Sequence, residues 1–158
     1  MPELLERLRR LASVAMGLAH TPEAAALVGS VPKVGVVSAS RCFTSLDGRA
    51  FAEADVDVTA RMLSMGLPHK AVPVTCGIAL AVAARLPGTV VAPLLAAGCG
   101  SAIRVGHPSG VLVVDAAVDH PAPQPVVRSA TVFRTTRRLF EGRVVLGSRG
   151  SLTSGNAV

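Results

Sequence analysis

The chain has neither tryptophan nor tyrosine and only four phenylalanines among 158 residues. Its core must therefore be built from valine, alanine and leucine, and a reader of single-stranded nucleic acid would lack the aromatic platforms on which bases stack. No apolar run reaches the roughly 18 residues needed to cross a bilayer. The longest, Ala71 to Ala84, is interrupted by Pro73, Thr75 and Gly77 and bounded by Lys70 and Arg85. Glu3 and Glu6 stand ahead of any apolar stretch, which is wrong for a secretory signal. Cys42, Cys76 and Cys99 cannot all pair, and the cysteines and four histidines show no zinc-ligand spacing. Reduced thiols in the cytoplasm are the expectation. A phosphate-binding loop is missing, and "GCGSAIRVG" does not match a dinucleotide fingerprint. The sequence calls for no metal, nucleotide, nucleic-acid partner or membrane.

What is present suits one α+β domain over residues 1–148 with a flexible tail at 149–158. Half of the residues are hydrophobic, and the net charge of +6 comes from dispersed arginines rather than lysine runs. An anionic small molecule, or compositional bias, accounts for that charge. "PELLERLRRLASVAMGLAH" spaces Leu4, Leu5, Leu8, Leu11 and Ala12 as an amphipathic helix, with Pro2 in the first turn. "HTPEAA" ends it. "PKVGVVSAS" reads as a strand closing in the loop "SRCFTSLDG". In "EADVDVTARMLSMGLPHK", Asp55 or Asp57 can cap a helix carrying Val58, Met62, Leu63 and Met65. "TVVAPLL", "SAIRVGH", "GVLVVDAAV", "QPVVRSATVFRTTRRLF" and "GRVVLG" read as strands.

Between these lies "HKAVPVTCGIALAVAARLPGT", residues 69–89. Thr75 is a natural N-cap for a helix over about 76–86, stopped by Pro87-Gly88. With no polar face until Arg85, such a helix must be enclosed by other elements. Cys76 at its start has two readings. It is a core residue, as free cysteine commonly is, or a thiol of lowered pKa beside N–H groups of Cys76, Gly77 and Ile78 that could hold a carboxylate. Gly77 would then let a ligand approach the backbone. "GHPSG", residues 106–110, is either a strand-to-strand turn in which Ser109 bonds its own backbone, or an anion-binding concavity with His107 as donor or proton shuttle. His69 and Lys70 are a solvated loop or a positive charge near the helix start.

Taken together, "VDVTARMLSMGLPHKAVPVT", "AVAARLPGTV", "RVGHPSG" and "TTRRLFEGRVV" resemble, in this order, the second half of the PrpF-like proteins. That family includes methylaconitate cis–trans isomerase and oxalomesaconate tautomerase. "LLERLRRLASVAMGLAHTPEAA" and "PKVGVVS" fit the start of the second domain, so the resemblance runs from Leu4 to about Val145. It implies a diaminopimelate-epimerase-like fold, a curved, mostly antiparallel sheet wrapped around a central helix. It also implies cofactor-free proton transfer on small unsaturated di- or tricarboxylic acids, bound between two pseudo-twofold-related domains. Carried over, Thr75, Cys76 and Gly77 sit at the cleft, with His107, Pro108 and Ser109 on the loop facing it. Ser64, Met65 and His69 line the approach, and Cys76 removes or returns the proton. Arg104 or Lys70 would offset a second carboxylate. Cys76-Gly77 is more like the epimerase and racemase relatives, in which each domain contributes one catalytic cysteine, since many PrpF-like proteins carry a small residue there. The first domain, which in the family supplies a lysine and a cysteine, is not in these residues. A homodimer or a complementary first-domain chain would complete the cleft; the alternative is a non-catalytic binding or structural remnant.

Overall fold

Leu5, Arg9 and Ser13, four residues apart on the first helix, are its buried positions, while Leu4, Leu8 and Leu11 remain exposed. The computed structural model describes residues 2–95, 99–120 and 124–143; the expected tail at 149–158 and most of "GRVVLG" lie outside them. Helix α1 spans Pro2–Ala15. It is followed by a short α2, Pro22–Leu27, whose N-cap Thr21 accepts a hydrogen bond from the Ala24 N–H at 3.2 Å. The face turned inward is the one that carries Arg9, because its guanidinium reaches the carbonyls of Ala25, Val28 and Val31 at 2.9–3.1 Å.

The strands are β1 (Val34–Ala39), β2 (Phe43–Thr44), β3 (Ala50–Phe51), β4 (Val58–Ser64), β5 (Leu67–Pro68), β6 (Ala102–His107), β7 (Gly110–Asp119) and β8 (Val126–Val132). One sheet runs β1-β4-β6-β7-β8, with β5 paired to β4. Every pairing in it is antiparallel except β4–β6, where Val58 opposes Val105 and Thr59 opposes Gly106. Helix α3, Val74–Ala83, packs on β7 and β8. The core lies between this helix and the sheet. Val58 and Ala60 of β4, Ile103 and Val105 of β6, and Leu112, Val114 and Ala116 of β7 meet Leu80 and Ala81. The fold class is the expected one, α+β with a curled, mostly antiparallel sheet around a helix. The helix itself is covered on one side: Gly77, Leu80 and Ala81 are buried, but Val74, Thr75 and Ala79 are exposed.

Several expected elements are different: "HTPEAA", expected to end the first helix, contributes α2, and "QPVVRSATVFRTTRRLF" is a strand only over Val126–Val132. Residues 58–64 form a strand, not a helix capped by Asp55 or Asp57. Val58, Met62 and Met65 fit a helical spacing, yet Val58, Ala60 and Met62 also alternate, and that alternation meets the core. Pairing to β1 along its length and to β6 at Val58 and Thr59 gives this stretch its backbone partners. Asp57 instead accepts from the Arg104 backbone N–H and guanidinium, both at 2.7 Å. "TVVAPLL" is a turn with a 3₁₀ segment, Ala92–Leu94, not a strand. Pro93 removes a ladder donor, and Thr89 Oγ1 accepts from the Ala92 N–H at 3.3 Å while donating to carbonyls at the end of α3.

On the face of the sheet away from α3, the β2–β3 hairpin stacks Phe43 on Phe51 with centroids 4.9 Å apart. Gly106 lies beneath. A Cβ there would stand 2.7 Å from Phe43 Cε1 and 3.1 Å from Val56 Cγ1. The ring cannot swing aside cheaply, since Phe51 stacks on it and the Arg61 guanidinium sits over it at 5.5 Å. Gly106→Ala is therefore expected to cost about 2 kcal/mol by overpacking, read as a lower urea midpoint at unchanged m-value; an unshifted midpoint would contradict this packing.

Candidate active site

Helix α3 opens at Val74, two residues before the position expected from Thr75 as cap. The N-cap is Pro73, with φ −57° and ψ 144°, and no side chain caps the end. The N–H groups of Val74, Thr75 and Cys76 thus have no intrahelical acceptor, whereas Gly77 donates to the Pro73 carbonyl at 2.9 Å. The open donors are residues 74–76, not 76–78. Gly77 serves packing rather than ligand approach: a Cβ on it would meet Leu112 Cδ2 at 2.9 Å and Val114 Cγ1 at 3.2 Å. Its missing side chain lets α3 settle on β7.

His107 ends β6 on the α3 side of the sheet, by alternation from Ile103 and Val105. A tight turn, Pro108-Ser109, leads to Gly110, whose φ of +124° glycine tolerates. The turn reading of "GHPSG" is what the chain adopts, with different bonds from those expected. Ser109 Oγ donates to the Lys70 carbonyl at 2.6 Å, and the Ser109 N–H donates to His107 Nδ1 at 3.1 Å. The first bond ties the turn to the segment that launches α3. The second makes Nδ1 an acceptor, so the proton of the neutral imidazole is on Nε2. His107 is only 8% exposed. It lines a cleft of about 430 Å³ together with Ala71, Val72, Ser109, Leu112 and Arg134.

Burial, with the Arg61 charge adding to it, pushes the His107 imidazole below its ordinary value of 6.5. Because the folded-state pKa is depressed, the stability that neutral His107 contributes is present above about pH 6.5 and is lost as pH falls through the lower folded value. His107→Gln should flatten that acid limb of a stability–pH curve. A limb of the same shape in the variant would assign the loss to other groups.

Cys76 lies on the other side of the helix start, in an apolar groove of about 250 Å³ with Lys33, Val37, Met62, Ala83 and Val91. Burial pushes its thiol up; the neighbouring Thr75 hydroxyl and Lys33 ammonium pull the other way with less effect. The lowered pKa expected for a cysteine at a helix start is thus reversed, because desolvation outweighs the local charges. Lys33 Nζ donates to Ser64 Oγ at 3.1 Å, which places Ser64 beside this groove.

The remaining expected residues are dispersed. Met65 and Gly66 form the β4–β5 turn with φ of +53° and +77°, and the Met65 side chain is 74% exposed. His69, its Nδ1 2.7 Å from the Ala71 oxygen, and Pro108 border an apolar depression under α1 with Leu5, Val36 and Leu63. Thr75 is exposed at the helix start. Arg104 is committed to Asp57 and to the Ala54 carbonyl at 2.8 Å, so it is not the expected counter-charge. Two cations were missed by the sequence reading, Lys33 beside Cys76 and Arg134 beside His107. Neither was singled out by its local sequence; the fold brings Lys33 into the groove of Cys76 and Arg134 into the cleft of His107.

A curled sheet holding a helix with its N-terminal donors open defines the diaminopimelate-epimerase-like class. The chain superposes on the crystal structure of methylitaconate-delta-isomerase with a TM-score of 0.71 and 28% identity, over 84% of this chain and 36% of that one. The family model described as PrpF protein matches residues 3–147, and the chain belongs to that family. It is 40% identical to the 2-methyl-aconitate isomerase of Cupriavidus necator over 82% of this chain and 33% of that protein. Identity is 38% with the 2-methyl-aconitate isomerase of Shewanella oneidensis, over 88% of this chain and 35% of the relative. With the 3-methylitaconate isomerase of Eubacterium barkeri it is 32%, over 89% and 37%. The chain thus spans about a third of the length of these relatives.

Proposed function

We propose that this chain is one part of a cofactor-independent isomerase that moves a proton on small unsaturated di- or tricarboxylic acids of the aconitate type. Two observations carry the reading, in a chain 40% identical to a 2-methyl-aconitate isomerase: the start of α3 leaves its first N–H groups unsatisfied, and the buried, neutral His107 lines a cleft with Ala71 and Val72, just ahead of that helix. Donors of this kind stabilise a carboxylate as it gains enolate character. The His107 Nε2–H and the N–H groups of residues 74–76 hold the acid. Cys76, protonated at neutral pH on the other side of the helix start, gives its proton to carbon once a base from the second half of the cleft has removed one, and its thiolate is reprotonated from solvent. Ser109 positions the turn rather than the substrate, and Lys33 gives the Cys76 groove its charge.

The cleft needs a second half. The stripe Leu4, Leu8 and Leu11 is 47–58% exposed, and Ala79 of α3 is open. A homologous first domain on another chain, or a second copy of this one, would cover such faces. The test is to incubate the protein with 2-methylaconitate and 3-methylitaconate in heavy water and follow carbon-bound deuterium by NMR across a range of protein concentrations. Deuterium uptake that grows with association supports the reading. No exchange at any concentration, from a chain that still binds these acids, would favour a binding module.

A further inference from the structure

We propose that Arg134 is the residue that selects dicarboxylates, binding the carboxylate remote from the one held at His107 and the start of α3; this rests on the acid-binding reading above. Arg134 lies two residues past the end of β8, and the intervening Phe133 is tied to β7 by its N–H donating to the Val113 carbonyl at 3.0 Å. It borders the same cleft as His107 and Ser109. Arg85, Arg104, Arg128 and Arg138 each face a carboxylate within 4 Å, whereas Arg134 faces none among the described residues. The cleft's lining contains no acidic side chain.

The other pole of the cleft is an unspent donor. His107 Nδ1 is used by Ser109, and Nε2 has no acceptor among the described residues. No unpartnered side-chain nitrogen is sealed from solvent among the described residues, so Nε2 keeps access to solvent on a residue that lines this cleft. Between the two poles the walls are Val72, Leu112 and Phe133. A guanidinium at one end, a neutral N–H at the other and apolar carbon between match a short diacid with an unsaturated or methylated body. A guanidinium engages a carboxylate through two parallel hydrogen bonds, which an ammonium cannot reproduce.

The experiment titrates the full chain with itaconate and with an itaconate monomethyl ester, following the His107 ring and the Thr75 and Cys76 amides by NMR. Itaconate should bind about tenfold tighter than the ester. Arg134→Gln should erase that ratio by weakening itaconate alone, and Arg134→Lys should fall between. Unchanged itaconate affinity in Arg134→Gln, no preference for the diacid, or no binding of either acid by the parent chain would each overturn the proposal. The expected ratio without deuterium exchange would support the subsite while refuting the isomerase reading. Exchange that persists beside an unaffected Arg134→Gln would do the reverse.

Discussion

Arg9→Met is expected to lower stability by about 2 kcal/mol, since it strips a donor from the buried Ala25 carbonyl and from the part-buried Val28 and Val31 carbonyls, where a fully buried group would cost about 1–3 kcal/mol. Arg9 is 3% exposed and donates to Ala25, Val28 and Val31 as well as to Glu6 at 2.8 Å. Methionine fills much of the same volume, so the change isolates the lost bonds from a cavity. The Ala25 carbonyl retains the Val28 N–H at 3.3 Å, which is why the expected loss stays below the full sum. Arg9→Lys keeps one donor centre and should lie between. Urea unfolding measures the effect, and amide exchange should place the earliest opening in α1 and α2. A loss below about 1 kcal/mol would mean that the arginine's desolvation cancels its bonds.

The same cluster has a pH signature. Bonds from Arg9 and Arg10 lower the Glu6 carboxyl from 4.5 to about 2. A depressed carboxylate stabilises the fold above its unfolded pKa, here about 4.5, and that contribution disappears as pH falls towards 2. Arg9→Met should shrink this acid-sensitive component along with the overall stability.

Cys76→Ser is expected to slow substrate deuterium exchange at least about a hundredfold, the lower range for removing a positioned proton donor. Serine is nearly isosteric, and the side chain is half-buried in an open groove, so the thermal midpoint should hardly move. The pH profile identifies the form that acts. With the thiol pushed above its ordinary 9.0, it is protonated throughout the neutral range. Exchange by a proton-donating Cys76 should be level there and fall in alkali as the thiol ionises. A rate climbing with pH would require the thiolate as base, and full exchange by Cys76→Ser would remove the residue from the chemistry.

The strands from Ala102 to Val132 were legible because β-branched runs alternate between glycine and proline stops. The family was legible because "ARMLSMG", "GHPSG" and "RRLFEGRV" occur in order. The candidate site was legible only as a location. His107 could be named from its motif, but its neutral state depends on the Ser109 N–H and on burial that no local pattern contains. Arg134 carries no motif and lies 27 positions from His107 in the chain, brought beside it by the β6–β7–β8 meander.

By itself, then, the order of residues determined the periodicities: an amphipathic first helix, valine-rich strands, an apolar helix and a glycine-bracketed turn, since each depends on neighbours a few positions away. Tertiary structure decided which face of each element turned inward. The leucine stripe of α1 stayed outside because Arg9 found carbonyls to satisfy. Residues 58–64 became a strand because β1 and β6 offered ladders on both sides. The Cys76 thiol was raised rather than lowered for the same reason, as desolvation and hydrogen-bond satisfaction are set by segments distant in the chain.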